Sequence, residues 1–88
     1  MKLSKNFVLR RVAGADMVLP LSQATVRFDA MLKLNETGVL LWNALKDEVE
    51  LDDLVRALRA EYNVSEEQAR KDIQEFLDKL ANAGCLEN

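Results

Sequence analysis

Histidine is absent from these 88 residues, and cysteine, proline, tryptophan and tyrosine occur once each. Each scarcity closes a class of chemistry. Without histidine, the commonest general base and the commonest protein metal ligand are gone. The lone Cys85 makes neither an internal disulfide nor a zinc cluster. Its nearest charge in sequence is Glu87, so it is expected in the core as a small apolar residue, not as a reactive thiol. No stretch approaches the roughly 18 to 20 apolar residues needed to span a bilayer. The opening MKLSKNFVLRR has no long apolar run and no small-residue cleavage site, so it does not read as a signal peptide, and a cytoplasmic setting is expected. Excess positive charge is lacking too: 12 Lys+Arg against 15 Asp+Glu give a net charge of −3. A general nucleic-acid binder needs clustered cations to neutralise phosphates. No Gly-rich loop follows a strand, and no ligand spacing points to a metal or other cofactor.

What is present is ordinary for a globular fold, with 49% hydrophobic and 31% charged residues. One domain spanning residues 1–88 is expected at this length. One proline and three glycines leave few breaks in regular structure. FVLRRVA (7–13) and MVLPL (17–21) read as a β-hairpin with GAD (14–16) as turn chemistry. Pro20 cannot donate to a ladder and belongs at a strand end or facing away from a partner. SQATVRFDA (22–30) is more polar and reads as a loop. MLKL (31–34) is a short third strand, whose alternation puts Leu32 and Leu34 on one face and Met31 and Lys33 on the other.

The period changes at Asn35. Asparagine is a strong helix N-cap, and Glu36 complements the helix dipole. Val39, Leu40, Trp42 and Leu45 then recur at helical spacing, predicting a first helix over about 36–46. Gly38 inside it costs about 1 kcal/mol relative to alanine, a cost that close packing against another element would explain. Leu51, Leu54, Val55, Leu58 and Tyr62 mark a second helix over about 51–61. SEEQ (65–68) is a capping box opening a third helix, with the stripe Ala69, Ile73, Phe76, Leu77 and Leu80. Gly84 is an αL stop. The order β-β-β-α-α-α predicts an α+β fold, a three-stranded antiparallel sheet followed by three helices.

No catalytic constellation emerges. The carboxylates lie on polar helix faces and in the loop before the second helix, where solvation accounts for them. Two structural features remain as carriers of function. A three-stranded sheet has edges, and the unpaired N–H and C=O groups of the 31–34 strand can accept an extended peptide as one more strand, or a second copy of the chain. The tight connection between the second and third helices resembles a helix-turn-helix. However, Glu66, Glu67, Asp72, Glu75 and Asp78 outnumber Arg70, Lys71 and Lys79 on the third helix, which would be repelled by phosphates.

The runs FVLRRVAG…MVLPL, MLKLNETGVLLWNAL and LVRALRAEYNVSEEQARKDIQEFLDKLANAGCLE resemble PqqD-like proteins over about residues 5–87. The sharpest part is LNETG…LW. The family's namesake takes part in pyrroloquinoline quinone biosynthesis, and its members serve as recognition elements for ribosomally made, post-translationally modified peptides. At NETG the chain reads like stand-alone members, not quinone-pathway ones, so the pathway implied is an unspecified peptide modification. The resemblance implies a winged-helix-like, non-catalytic domain without a cofactor. It would capture the leader segment of a precursor peptide as an added strand and present it to a modifying enzyme, a radical S-adenosylmethionine enzyme in many cases. Carried onto this sequence, the peptide-binding residues are Ala30, Met31, Leu32, Lys33 and Leu34 on the third strand, with Ile73, Phe76, Leu77 and Leu80 on the third helix. Asp72 and Lys79 flank that stripe on one side and Arg70 on the other. The sequence leaves open which flank faces the groove. The other partner expectations are no nucleic acid, no membrane, and a monomer or a strand-swapped dimer. A proline at Met31 is expected to abolish binding by deleting a backbone donor.

Overall fold

The structure, a computed structural model, describes residues 1–21 and 32–87. The chain runs β1 (Lys2–Leu3), β2 (Phe7–Val12), β3 (Ala15–Pro20), β4 (Leu32–Leu34), α1 (Glu36–Ala44), α2 (Leu51–Glu61), α3 (Glu66–Asn82) and β5 (Leu86–Glu87). Strands β2, β3 and β4 form an antiparallel sheet in that order. The three helices follow it in sequence, so the α+β class read from the sequence holds. The likeness to a winged helix is loose but compatible.

The hairpin turns earlier than the GAD reading placed it. Ala13 and Gly14 both take positive φ, 51° and 81°, which is the requirement of a two-residue type I′ loop. Val12 therefore pairs with Ala15, and β3 starts two residues before Met17. Pro20 sits at the last position of β3, where its missing N–H is tolerated. The reading of 22–30 as a loop lies outside the described residues.

The helix signals act as the sequence implies. Asn35 Oδ1 accepts from the Gly38 N–H at 2.8 Å, capping α1. Ser65 Oγ accepts from the Gln68 N–H at 3.1 Å. Gln68 does not complete the box: its side-chain amide donates to Asp72 Oδ1 at 2.8 Å, one turn onward. A cap the sequence reading overlooked starts α2, where the Glu50 N–H donates to Asp53 Oδ2 at 2.8 Å. At the end of α3, Gly84 has φ 77°. The Cys85 N–H reaches the Leu80 carbonyl at 2.8 Å and the Gly84 N–H reaches that of Ala81 at 3.1 Å, the paired bonds of a Schellman motif. Helix α1 stops at Ala44, two residues short of expectation, with Leu45 as its C-cap.

One element is new. After the Schellman stop the chain continues extended, and β5 pairs antiparallel with β1, Leu3 opposite Leu86. The Leu3 N–H donates to the Leu45 carbonyl at 2.9 Å and the Ser4 N–H to that of Cys85 at 2.7 Å. Two residues per strand carry no readable alternation, so only the fold reveals this pair. The core lies between the inner face of the sheet, where Phe7, Leu9, Val18, Leu32 and Leu34 meet it, and the helix residues Leu41, Trp42, Leu45, Leu54, Leu58, Ala69, Ile73 and Leu80.

Candidate functional site

The site is built where β4 runs beside α3. Only Asn35 separates the end of β4 from α1, so the chain must fold back over the strand it has just left. That return brings the first turn of α1 against β4. A Cβ added at Gly38 would stand 3.2 Å from Leu34 Cβ and 3.3 Å from Asn35 Oδ1. The close approach expected of this glycine is there, and it explains why a poor helix former is kept.

The hydrogen-bond parity of the sheet decides which backbone groups of β4 are open. The residues flanking a two-residue hairpin loop form a hydrogen-bonded pair, here Val12 and Ala15. At the other end of the hairpin, the Leu21 N–H donates to the Asn6 carbonyl at 2.7 Å. Both observations put Ala15, Met17, Leu19 and Leu21 in bonds to the β2 side. In an antiparallel ladder each residue sends both backbone groups to one side and its neighbours send theirs to the other. Asp16 and Val18 therefore bond toward β4, to Leu34 and Leu32 in register. Lys33 lies between them. Its N–H and C=O point to the far edge, which no described strand pairs.

Alongside that edge runs a groove of about 420 Å³ lined by Leu32, Lys33, Leu34, Asn35, Thr37, Gly38, Leu41, Asp72, Glu75, Phe76, Lys79 and Leu80. Its size falls within the range of small-ligand and peptide side-chain pockets. The apolar floor comes from both sheet and helices, and Asp72, Glu75 and Lys79 occupy exposed positions of α3, with Lys33 exposed on β4. Among the described residues no polar or charged side chain is buried, and no group of three or more His, Cys, Asp or Glu residues could hold a metal ion. The arrangement offers backbone pairing and apolar burial. It offers no sequestered acid, base or nucleophile.

The residues singled out from sequence separate into three sets. Leu32, Lys33, Leu34, Asp72, Phe76, Lys79 and Leu80 come together around the groove. Ile73 and Leu77 lie in the core, 0% and 6% exposed, and do not line it. They sit one residue and five residues on from Asp72, which turns them inward. Ala30 and Met31 lie outside the described residues. The flank left open by the sequence is decided: Asp72 and Lys79 face the groove. Arg70 faces α2 instead, bonded to Asp52 at 2.5 Å and to Glu66 at 3.3 Å. Those bonds, Asp52 first and Glu66 second, raise the pKa of its guanidinium.

The sequence reading missed Asn35, Thr37, Gly38, Leu41 and Glu75 as lining residues. Glu75 was reachable, being three residues after Asp72 and four before Lys79 on the same helix face. The α1 residues were not, because their place depends on how α1 folds back over β4. Cys85, expected in the core, is 0% exposed, and burial pushes its thiol up to about 11.

Comparison with known proteins extends the geometry. No curated protein matches the chain. A solved structure of TbiB1 in complex with the TbiA(beta) leader peptide superposes with a TM-score of 0.78 at 28% identity, covering 100% of this chain and 96% of that one. A lasso peptide synthetase B1 complexed with the leader peptide superposes with a TM-score of 0.75 at 21% identity, covering 99% and 96%, a likeness of fold. The sequence model of the family described as Coenzyme PQQ synthesis protein D (PqqD) matches residues 7–86. With nearly its whole length matched, the chain belongs to the PqqD family.

Proposed function

We infer that this chain is a non-catalytic recognition module for a ribosomally made, post-translationally modified peptide. It captures the leader segment of the precursor as a strand added to β4 and presents the rest to a modifying enzyme, for which a radical S-adenosylmethionine enzyme is the expected class. The observation that carries this reading is the open backbone of Lys33 beside an apolar groove. The leader-peptide complex of TbiB1, at 28% identity, supports it. Backbone pairing supplies affinity with little sequence preference, and the groove supplies selectivity. Each net hydrogen bond contributes about 0.5–1.5 kcal/mol. Apolar burial adds roughly 25 cal/mol per Å². Ordering a disordered leader offsets part of both.

The test is amide hydrogen exchange read by NMR, with and without a synthetic peptide copying the leader of a short precursor encoded next to this gene. Leu32 and Leu34 already bond to β3, so their exchange should change little. Lys33 should slow by about tenfold or more once a strand pairs with it. An unaltered Lys33 amide, with shifts confined to β2, would remove β4 from the mechanism. A second copy pairing β4 to β4 would protect the same amide. That protection would grow with protein concentration in the absence of peptide.

A further inference from the structure

The parity that opens the backbone of Lys33 also sorts the side chains of any strand that pairs with it. Directly opposed residues of a ladder share a face, whether the strands run parallel or antiparallel. The peptide residue opposite Lys33 therefore lies on the outer face of the sheet. Its two neighbours lie on the face of Leu32 and Leu34 and enter the groove beside Phe76.

The outer face at that row has its own chemistry. Arg10 pairs with Met17 and Met17 with Lys33, so the three stand in one line across β2, β3 and β4. Arg10 and Lys33 are both exposed. The row behind them is apolar, Val8 and Leu19, both half-buried. The acid of these three strands, Asp16, lies on the inner face, across from Arg11 at 3.5 Å. The outer face thus carries cations and no carboxylate among its described residues, in a chain whose net charge is −3. Opposite charges on directly opposed residues stabilise a ladder, and like charges destabilise it.

We propose that the Lys33 side chain is a specificity-determining reader, selecting a captured segment of the form apolar–acidic–apolar with the acid opposite it. This rests on strand addition at β4 and adds the identity of three consecutive peptide residues. The acid is held beside the Lys33 ammonium at the sheet surface, and the flanking apolar side chains fill the groove. A basic central residue would meet Lys33 directly, with Arg10 three strands away on the same face.

The experiment is a display selection on the full immobilised chain, using nine-residue peptides randomised at three central positions in a Thr- and Val-rich host. The wild type should enrich apolar–acidic–apolar centres, K33E apolar–basic–apolar centres, and K33Q apolar alternation without charge preference. Titration of the Val-Asp-Leu and Val-Lys-Leu members should show a preference for the acid of roughly three- to tenfold in the wild type, reversed in K33E. Apolar alternation enriched without charge preference on the wild type, or the same preference on wild type and K33E, overturns the assignment to Lys33 and leaves strand addition standing. No enriched alternation, together with an unprotected Lys33 amide, overturns both.

Discussion

Single residues set the tolerances of the site. Gly38 is the sharpest case. Alanine is the better helix former by about 1 kcal/mol, yet its Cβ would stand 3.2 Å from the Leu34 Cβ and 3.3 Å from Asn35 Oδ1. Neither neighbour yields easily, since Leu34 Cβ is fixed by the β4 backbone and Asn35 Oδ1 is held by the capping bond. Overpacking of this kind costs about 1–3 kcal/mol, so Gly38→Ala should destabilise by about 1 kcal/mol net. A urea midpoint at or above wild type would show that β4 shifts freely. Cys85 is the second case. Burial raises its thiol from 9.0 to about 11. The folded state therefore holds the proton more tightly than the unfolded chain. Its contribution is complete below pH 9.0, declines as the unfolded thiol ionises, and is lost as pH passes about 11. The loss should reach roughly 2–3 kcal/mol relative to Cys85→Ala, measured by denaturation between pH 8 and about 11. Parallel pH profiles for the two proteins would refute the shift. At neutral pH the native thiol should resist alkylation that proceeds readily in denaturant.

At the level of elements, the helices were legible and the strand pairings only partly so. Asn35, Ser65 and Gly84 announce helix ends through chemistry that acts within three or four residues, and the structure places each cap accordingly. The ladder partners of a strand are non-local, and so the hairpin turn was displaced by one residue and the β1–β5 pair was invisible. That pair is more than decoration. Leu3 is 8% exposed and its N–H is bonded to Leu45, so β1 fastens the end of α1 to the chain after α3. Leu3→Ala should cost about 2–3 kcal/mol, the range for a buried leucine at the margin of a core. Because β1 and β5 form a separate two-stranded sheet that does not include β4, peptide affinity should hold in the variant wherever it is folded. A stability loss under about 0.5 kcal/mol would reduce the pair to a surface contact.

For the whole molecule, the question is which surface meets a partner. Groove and core divide the α3 stripe: Phe76 is half-buried and lines the groove, and Ile73 is fully buried. Phe76→Ala should weaken peptide binding by tenfold or more, in line with about 1.4 kcal/mol or more lost at an aromatic anchor. Ile73→Ala should instead lower stability by about 2–5 kcal/mol. Equal effects of the two on affinity, measured where both variants are folded, would contradict that division. The helix-turn-helix resemblance is a matter of shape, because α3 carries more acids than bases on its surface. Fluorescence titration with duplex DNA at low salt should stay flat.

Sequence by itself determined the elements whose causes are local: three helices, the caps of the first and third, the 3.6-residue stripe of α3, the alternation of β4 and the resemblance that pointed to peptide recognition. Tertiary structure alone decided which groups meet across the site. The flank of α3 that faces the groove depends on how the buried stripe Ala69, Ile73, Leu77 and Leu80 seats in the core, which leaves Arg70 to meet Asp52 of α2 at the surface. The outward turn of the Lys33 backbone depends on the parity set by the β2–β3 loop. Both follow from contacts between residues distant in the chain, and periodicity along one segment carries no record of them.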